Sequence, residues 1–301
     1  MGGKFQKNLK ESVVLNRWMN VGLILLFLVG LLITSYPFIS NWYYNIKANN
    51  QVTNFDNQTQ KLNTKEINRR FELAKAYNRT LDPSRLSDPY TEKEKKGIAE
   101  YAHMLEIAEM IGYIDIPSIK QKLPIYAGTT SSVLEKGAGH LEGTSLPIGG
   151  KSSHTVITAH RGLPKAKLFT DLDKLKKGKI FYIHNIKEVL AYKVDQISVV
   201  KPDNFSKLLV VKGKDYATLL TCTPYSINSH RLLVRGHRIK YVPPVKEKNY
   251  LMKELQTHYK LYFLLSILVI LILVALLLYL KRKFKERKRK GNQKWKRLEK
   301  V

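Results

Sequence analysis

Tyr216-Ala217-Thr218-Leu219-Leu220-Thr221-Cys222-Thr223-Pro224 reads as a short β run that delivers a cysteine at its end, where the proline blocks a simple extension. Working outward, similar runs recur at Ile111–Ile116, Leu123–Tyr126, Thr155–Ala159, Ile180–Ile183, Val189–Val194 and Leu232–Arg238. Gly, Pro and Asn turns separate them, and one short amphipathic stretch, Phe169–Lys176, interrupts. Seven or eight short strands so spaced predict a mainly β domain, a closed barrel or sandwich rather than a βαβ sheet. No internal repeat appears.

Cys222 is the only cysteine in 301 residues, so no internal disulfide is available. It is a buried apolar filler, a reactive nucleophile or a link to another chain. An active thiol needs a proton acceptor and a group that stabilises oxyanion charge. His160 closes the run Thr155–Ala159 ahead of an Arg161-Gly162 turn, and Arg231 opens the run Leu232–Arg238. All three residues therefore sit at strand ends, where loops meet and clefts form. At ordinary pKa values of ~8.5 for Cys and ~6.5 for His, the thiolate–imidazolium form is disfavoured by roughly 2.7 kcal/mol, about 1% of the pair. The chain has no Gly-rich phosphate loop and no Cys/His ligand cluster, which argues against nucleotide, cofactor and metal chemistry.

Two uncharged apolar segments predict the cellular address. One spans 19–40 and contains VGLILLFLVGLLITSYPFIS; the other, 261–280, reads LYFLLSILVILILVALLLYL. Each is long enough, at about 1.5 Å per residue, to cross a hydrocarbon core of roughly 30 Å. The first has no A-x-A-like cleavage site and is followed by Trp42, Tyr43 and Tyr44, which resemble an interfacial belt, so an uncleaved anchor is expected. Lys4, Lys7, Lys10 and Arg17 flank it, and a strongly basic tail follows the second segment. Positive flanks stay cytoplasmic, which leaves an external portion large enough to hold its own core. Much of the net charge of +28 is thus topological, and an external domain is not expected to bind nucleic acid. The expected plan is a basic tail at 1–18, an anchor at 19–40, a helical region with a lid loop at 41–110 and the β domain at 111–242. A linker at 243–260, a second anchor at 261–280 and a basic tail at 281–301 complete it.

Within 41–110, Leu62, Ile67, Phe71, Leu73 and Ala74 recur at helical spacing, as do Ile98, Tyr101, Ala102, Leu105, Ile107 and Ala108. Between them, Asp82-Pro83 and Asp88-Pro89 preclude a continuous helix. Thr91 and Glu94 stand at capping-box spacing for the second helix.

These residues resemble the sortase family. Thr218-Leu219-Leu220-Thr221-Cys222 matches its TLxTC signature. The continuation through Arg231 to Gly236, the stretch Gly139–Pro147 and Thr158-Ala159-His160-Arg161-Gly162 look like class C, the pilin-polymerising sortases. The match runs from about Ile111 to Val242, and the two-anchor plan agrees with it. Ser226 is a departure, standing where glycine is expected and altering the turn more than the chemistry. The resemblance implies an eight-stranded β-barrel with Cys222 as nucleophile, His160 as general acid/base and Arg231 as the oxyanion or substrate-positioning cation. His140 is the rival histidine, and Thr221, Leu220 and His140 are expected to contact substrate. Asp88-Pro89-Tyr90 would form a lid, with Asp88 pairing with Arg231 and the Tyr90 ring covering Cys222. The implied reaction cleaves an LPxTG-like signal between Thr and Gly through a thioester. Its implied partners are pilin subunits carrying that signal and an acceptor lysine, at a lipid membrane. Attachment of proteins to peptidoglycan and a non-catalytic surface-binding barrel are the alternative functions.

Overall fold

The computed structural model describes residues 2–81, 86, 90, 100–243, 270, 279 and 281–283, with side chains described from residue 22 onward apart from 100–102. Two compact units divide at Tyr241/Val242, and the β domain belongs to the first.

The first helix, α1 (Gly2–Thr59), is longer than the expected anchor and runs unbroken past residue 40, with Pro37 inside it. Its apolar stretch is exposed along Leu23–Val29, whereas Ala48, Val52 and Phe55 are buried against the β domain. At the end of the apolar stretch, Ser40 Oγ donates to the Lys165 carbonyl at 3.0 Å and Lys167 N–H donates to Asn41 Oδ1 at 3.2 Å. Among the described residues, Gly22–Thr59 is the one helix long and apolar enough to cross a membrane, with a peak mean hydropathy of 2.3. The expected second anchor, 261–280, lies outside the described residues apart from Ile270 and Tyr279, which are helical.

The next helix, α2 (Thr64–Arg79), starts where Asn63 Oδ1 accepts from Glu66 N–H at 2.7 Å. Phe71 and Ala74 are buried as their spacing predicts, but Leu73 is 46% exposed and does not belong to that face. The second expected helix is, where described, a 3₁₀ segment from Glu100 to Leu105. It cannot continue through Ala108, because Ala108 (φ 48°) and Glu109 (φ 69°) adopt the left-handed conformation and turn the chain into the first strand. Thr91 and Glu94 lie outside the described residues.

Eight strands follow: β1 (Met110–Ile116), β2 (Gln121–Ala127), β3 (Ala138–His140), β4 (Ser153–Thr158), β5 (Ile180–His184), β6 (Val189–Val200), β7 (Asp215–Thr223) and β8 (His230–Ile239). They close in the order β1-β2-β3-β4-β7-β8-β6-β5, which leaves no free sheet edge. β2–β3 and β4–β7 are parallel pairs and the other neighbours antiparallel. The short helix α3 (Ser131–Lys136) is capped by Thr130 and leads into β3. The amphipathic stretch from Phe169 contributes only a 3₁₀ turn at Leu172–Lys174.

Alternation along β4, β7 and β8 assigns the two faces. Ile157, Leu219 and Val234 join the main core with Ile114, Ile125, Phe169, Phe181 and Leu190. Val156, Leu220 and Leu233 instead join a second, smaller cluster with Leu141, Val200 and Leu208. The barrel thus buries one face inside itself and lays a second apolar patch on its outer face, next to Cys222.

Candidate active site

Cys222 and Arg231 are register partners across β7 and β8. Directly opposed residues in an antiparallel pair point to the same face, so thiol and guanidinium share the outer face. Both are buried, at 5% and 4% exposure. Arg231 Nη1 donates to the carbonyls of Asn228 at 2.8 Å and His230 at 3.0 Å, which fixes its reach along the β7–β8 turn. His230 begins β8 one residue earlier, and alternation sends it the other way; its ring bonds the neighbouring Ser229 hydroxyl.

β4 runs parallel beside β7, and its last register pair is Thr158 with Leu220. His160 follows at the same end of the barrel and is half-buried. Its pKa is lowered chiefly by burial, with Glu135 pulling it up and Lys165 pushing it down. The imidazole is therefore held toward its neutral form.

Tyr90 joins the three groups. Its ring lies 5.4 Å from the His160 ring, and the Arg231 guanidinium sits 5.1 Å from its centroid. Its hydroxyl donates to the Ala159 carbonyl at 2.7 Å and is 2.7 Å from Thr158 Oγ1. Burial, then the neighbouring Cys222 sulfur, push the Tyr90 hydroxyl pKa far above its ordinary value. Together with Leu86 and Phe205, Tyr90 covers the outer apolar cluster of Leu220 and Leu233. Asp88 and Pro89, the other expected lid residues, lie outside the described residues.

The remaining expectations divide. Leu220 is in the outer cluster beneath Tyr90. Thr221 is buried, and its hydroxyl donates to the Ala159 carbonyl at 2.7 Å. His140, expected as rival acid/base and as substrate contact, is placed apart from Cys222, His160 and Arg231. It is wholly buried, and its register partner Ile157 belongs to the main core, so its ring is on the inner face, away from Cys222. There Nε2–H donates to the Ser145 carbonyl at 2.8 Å, and burial drives the pKa down to about 4.

Two residues near the site escaped the sequence reading. Thr158 meets the Tyr90 hydroxyl. Arg161, beside His160, sends Nη1 to Thr223 Oγ1 at 3.0 Å and Nη2 to Asp173 at 2.6 Å. Its adjacency to His160 was the available signal, but its partners are set by tertiary structure. Among the described residues no cluster of His, Cys, Asp or Glu is suited to a metal ion.

A family model described as the Sortase domain matches residues 114–239. Among solved structures, the chain is 66% identical to a pilus-related Sortase C of Group B Streptococcus, covering 63% of this chain and 97% of that one with a TM-score of 0.61. It is 60% identical to sortase C-1 of Streptococcus pneumoniae, covering 64% and 100% of the two chains with a TM-score of 0.63. Sortase A of Bacillus anthracis is 29% identical over 214 residues, 71% of this chain and 90% of that protein.

Proposed function

Because the chain belongs to the sortase family of cysteine transpeptidases, we propose that it joins pilin subunits to one another at the outer face of the cell membrane. The observation that carries the pilin reading is the contrast in likeness: 66% identity to a pilus-related Sortase C against 29% to a Sortase A, each over nearly the whole relative. The exposed apolar stretch of α1 supports membrane anchoring, and the basic flanks support cytoplasmic termini.

Cys222 thiolate attacks the threonine carbonyl of an LPxTG-like signal. The tetrahedral oxyanion collapses, the Thr–Gly C–N bond breaks, and the departing glycine amine takes a proton from His160 imidazolium. The acyl group remains on sulfur as a thioester. A lysine ε-amine of another pilin then attacks, His160 takes its proton, and the C–S bond breaks to leave an isopeptide bond and a free thiolate. Arg231, opposite Cys222 on the same face, offers its guanidinium to the oxyanion in both steps. Tyr90 must leave before a sorting signal can reach the buried thiol.

The test is mass spectrometry of the full-length protein in detergent with an LPxTG peptide and competing amines. A thioester on Cys222, resolved by a pilin lysine in preference to a peptidoglycan-type amine, is expected. Preference for the peptidoglycan amine would move the reading to wall attachment, and no acyl-enzyme would leave a binding barrel. Cys222→Ala should abolish transfer and His160→Ala nearly so. Arg231→Lys keeps charge but loses the planar fork, and should raise the barrier by about 2.7–4 kcal/mol.

A further inference from the structure

Register pairing between β4 and β7 stops at Thr158–Leu220, and beyond it a single backbone bond, from Ala159 N–H to the Leu220 carbonyl at 3.3 Å, joins the two ends; the ladder does not reach His160 and Cys222 themselves. Side chains carry the bridge further. On the near side, Thr221 Oγ1 donates to the Ala159 carbonyl at 2.7 Å. On the far side, Arg161 Nη1 donates to Thr223 Oγ1 at 3.0 Å. These links flank both His160 and Cys222, one residue before and one residue after each. Beyond them Gly162, at φ +89°, lies so close to Tyr225 that an added Cβ would meet its ring at 3.1 Å.

We infer that Arg161 is a positioning residue for acyl transfer, holding the loop that carries His160 against the strand end that carries Cys222. Only 8% of its side chain is exposed. Its guanidinium is divided between two targets, Thr223 and Asp173, and Asp173 stands in the turn whose Leu172 is buried in the main core. A guanidinium engaging one carboxylate alone commonly uses its donors as a bidentate fork. Here the division leaves Nε–H buried without an acceptor among the described residues. The bridge from core to strand end is what this arrangement achieves. The His160 carbonyl also accepts from Phe169 N–H at 3.0 Å, so the loop is drawn toward the core at both His160 and Arg161. A lysine reaches one target, not two, and cannot keep the bridge.

This rests on Cys222 and His160 being the reacting pair, which Cys222→Ala tests separately in the same assay. The experiment uses full-length protein in detergent with a quenched fluorescent LPxTG peptide, reading kcat, KM and Tm for Arg161→Lys, Thr223→Val and the double variant. Misplacing a reacting group by an ångström is worth about 100-fold in rate. The expected result is a fall in kcat approaching that size for each single variant, with KM unchanged. The double variant should be no slower than the worse single one, because both remove the same bridge. If Arg161→Lys folds poorly, the near-isosteric Thr223→Val carries the test, since it leaves the Arg161–Asp173 pair in place. Unchanged kcat in folded variants, or losses that multiply in the double variant, overturns the bridge. Activity surviving in Cys222→Ala overturns the underlying pair instead.

Discussion

The inner and outer faces of β4, β7 and β8 are made by the same strands and have opposite fates. Inward, Ile157, Leu219 and Val234 enter a large core inside the closed barrel, which Phe55 of α1, Phe71 of α2 and loop residues such as Phe169 extend. Outward, Val156, Leu220 and Leu233 form a small cluster with Leu141, Val200 and Leu208, and Leu86, Tyr90 and Phe205 pack over it from outside the strands. Cys222 and Arg231 lie on this second face. The inner face is enclosed by the barrel wall, whereas the outer one has Tyr90 packed over it from a loop. The proposed lid role of Tyr90 rests on that difference.

The strongest way to break the comparison is a pair of truncations. Leu219→Ala should cost about 2–5 kcal/mol, because a closed core cannot collapse onto the gap. Tyr90→Ala should cost less while accelerating iodoacetamide alkylation of Cys222, since reagent reaches only the open fraction. Denaturant melts and alkylation kinetics on the same samples decide it. Unchanged alkylation in folded Tyr90→Ala would remove the lid role.

The histidines sharpen the contrast next. His140, inside, has its pKa driven down to about 4, and His154, bonded to Leu209 and Thr218, likewise to about 4. Each stays neutral in the fold while the unfolded chain takes up a proton near 6.5, so stability is full above that pH and is lost toward pH 4. The expected loss is on the order of 3 kcal/mol per histidine. His140→Gln should flatten this dependence in urea melts at pH 7 and pH 4.5. His160 is also depressed chiefly by burial, but it is only half-buried and the Tyr90 ring lies beside it, so Tyr90→Ala should raise its pKa and shift the acid limb of the transfer profile upward. An acid limb that stays put would show that Tyr90 does not shield His160.

Much of the fold was legible because period-2 alternation reports burial on two faces. The seven expected runs all became strands, while β3 did not announce itself. Ala138-Gly139-His140 is too short and small to show a pattern, and it exists because β2 and β4 pair with it. The placement of Cys222, His160 and Arg231 at strand ends followed from where the β runs stop. Which face His140 occupies did not, because that depends on register with Ile157, a tertiary fact. Nor did the continuity of α1, since Tyr36-Pro37 reads as a break, yet the helix passes through it. The Arg161 and Tyr90 bonds join residues far apart in sequence, and no local pattern encodes them.

A finer probe of the lid is Tyr90→Phe, which keeps the ring beside His160 and Arg231 but deletes the hydroxyl bonds to Ala159 and Thr158. Losing a net 0.5–1.5 kcal/mol of hydrogen bonding should raise the open population roughly 2- to 13-fold, and alkylation by the same factor. An unchanged rate would assign the latch to ring packing alone.

The smallest effect is expected at Ser226, in the exposed turn that links β7 and β8, the strands that carry Cys222 and Arg231. Its φ of 65° is left-handed, as is Asn228 at 58°. Asparagine tolerates that region, whereas serine has no such ease, at a strain of about 1–2 kcal/mol. Glycine removes the strain but gives the unfolded chain more freedom, worth about 0.4–1 kcal/mol in the other direction. Ser226→Gly should therefore stabilise by roughly half a kilocalorie per mole, read as a small rise in urea midpoint at unchanged slope. The Asn228 carbonyl that anchors Arg231 is two residues away and keeps its own conformation, so kcat should stay within about twofold. A fall in stability would mean that the Ser226 side chain, not its backbone, matters to the turn. A large change in kcat would tie the turn's shape to the Arg231 guanidinium and thus to the outer face.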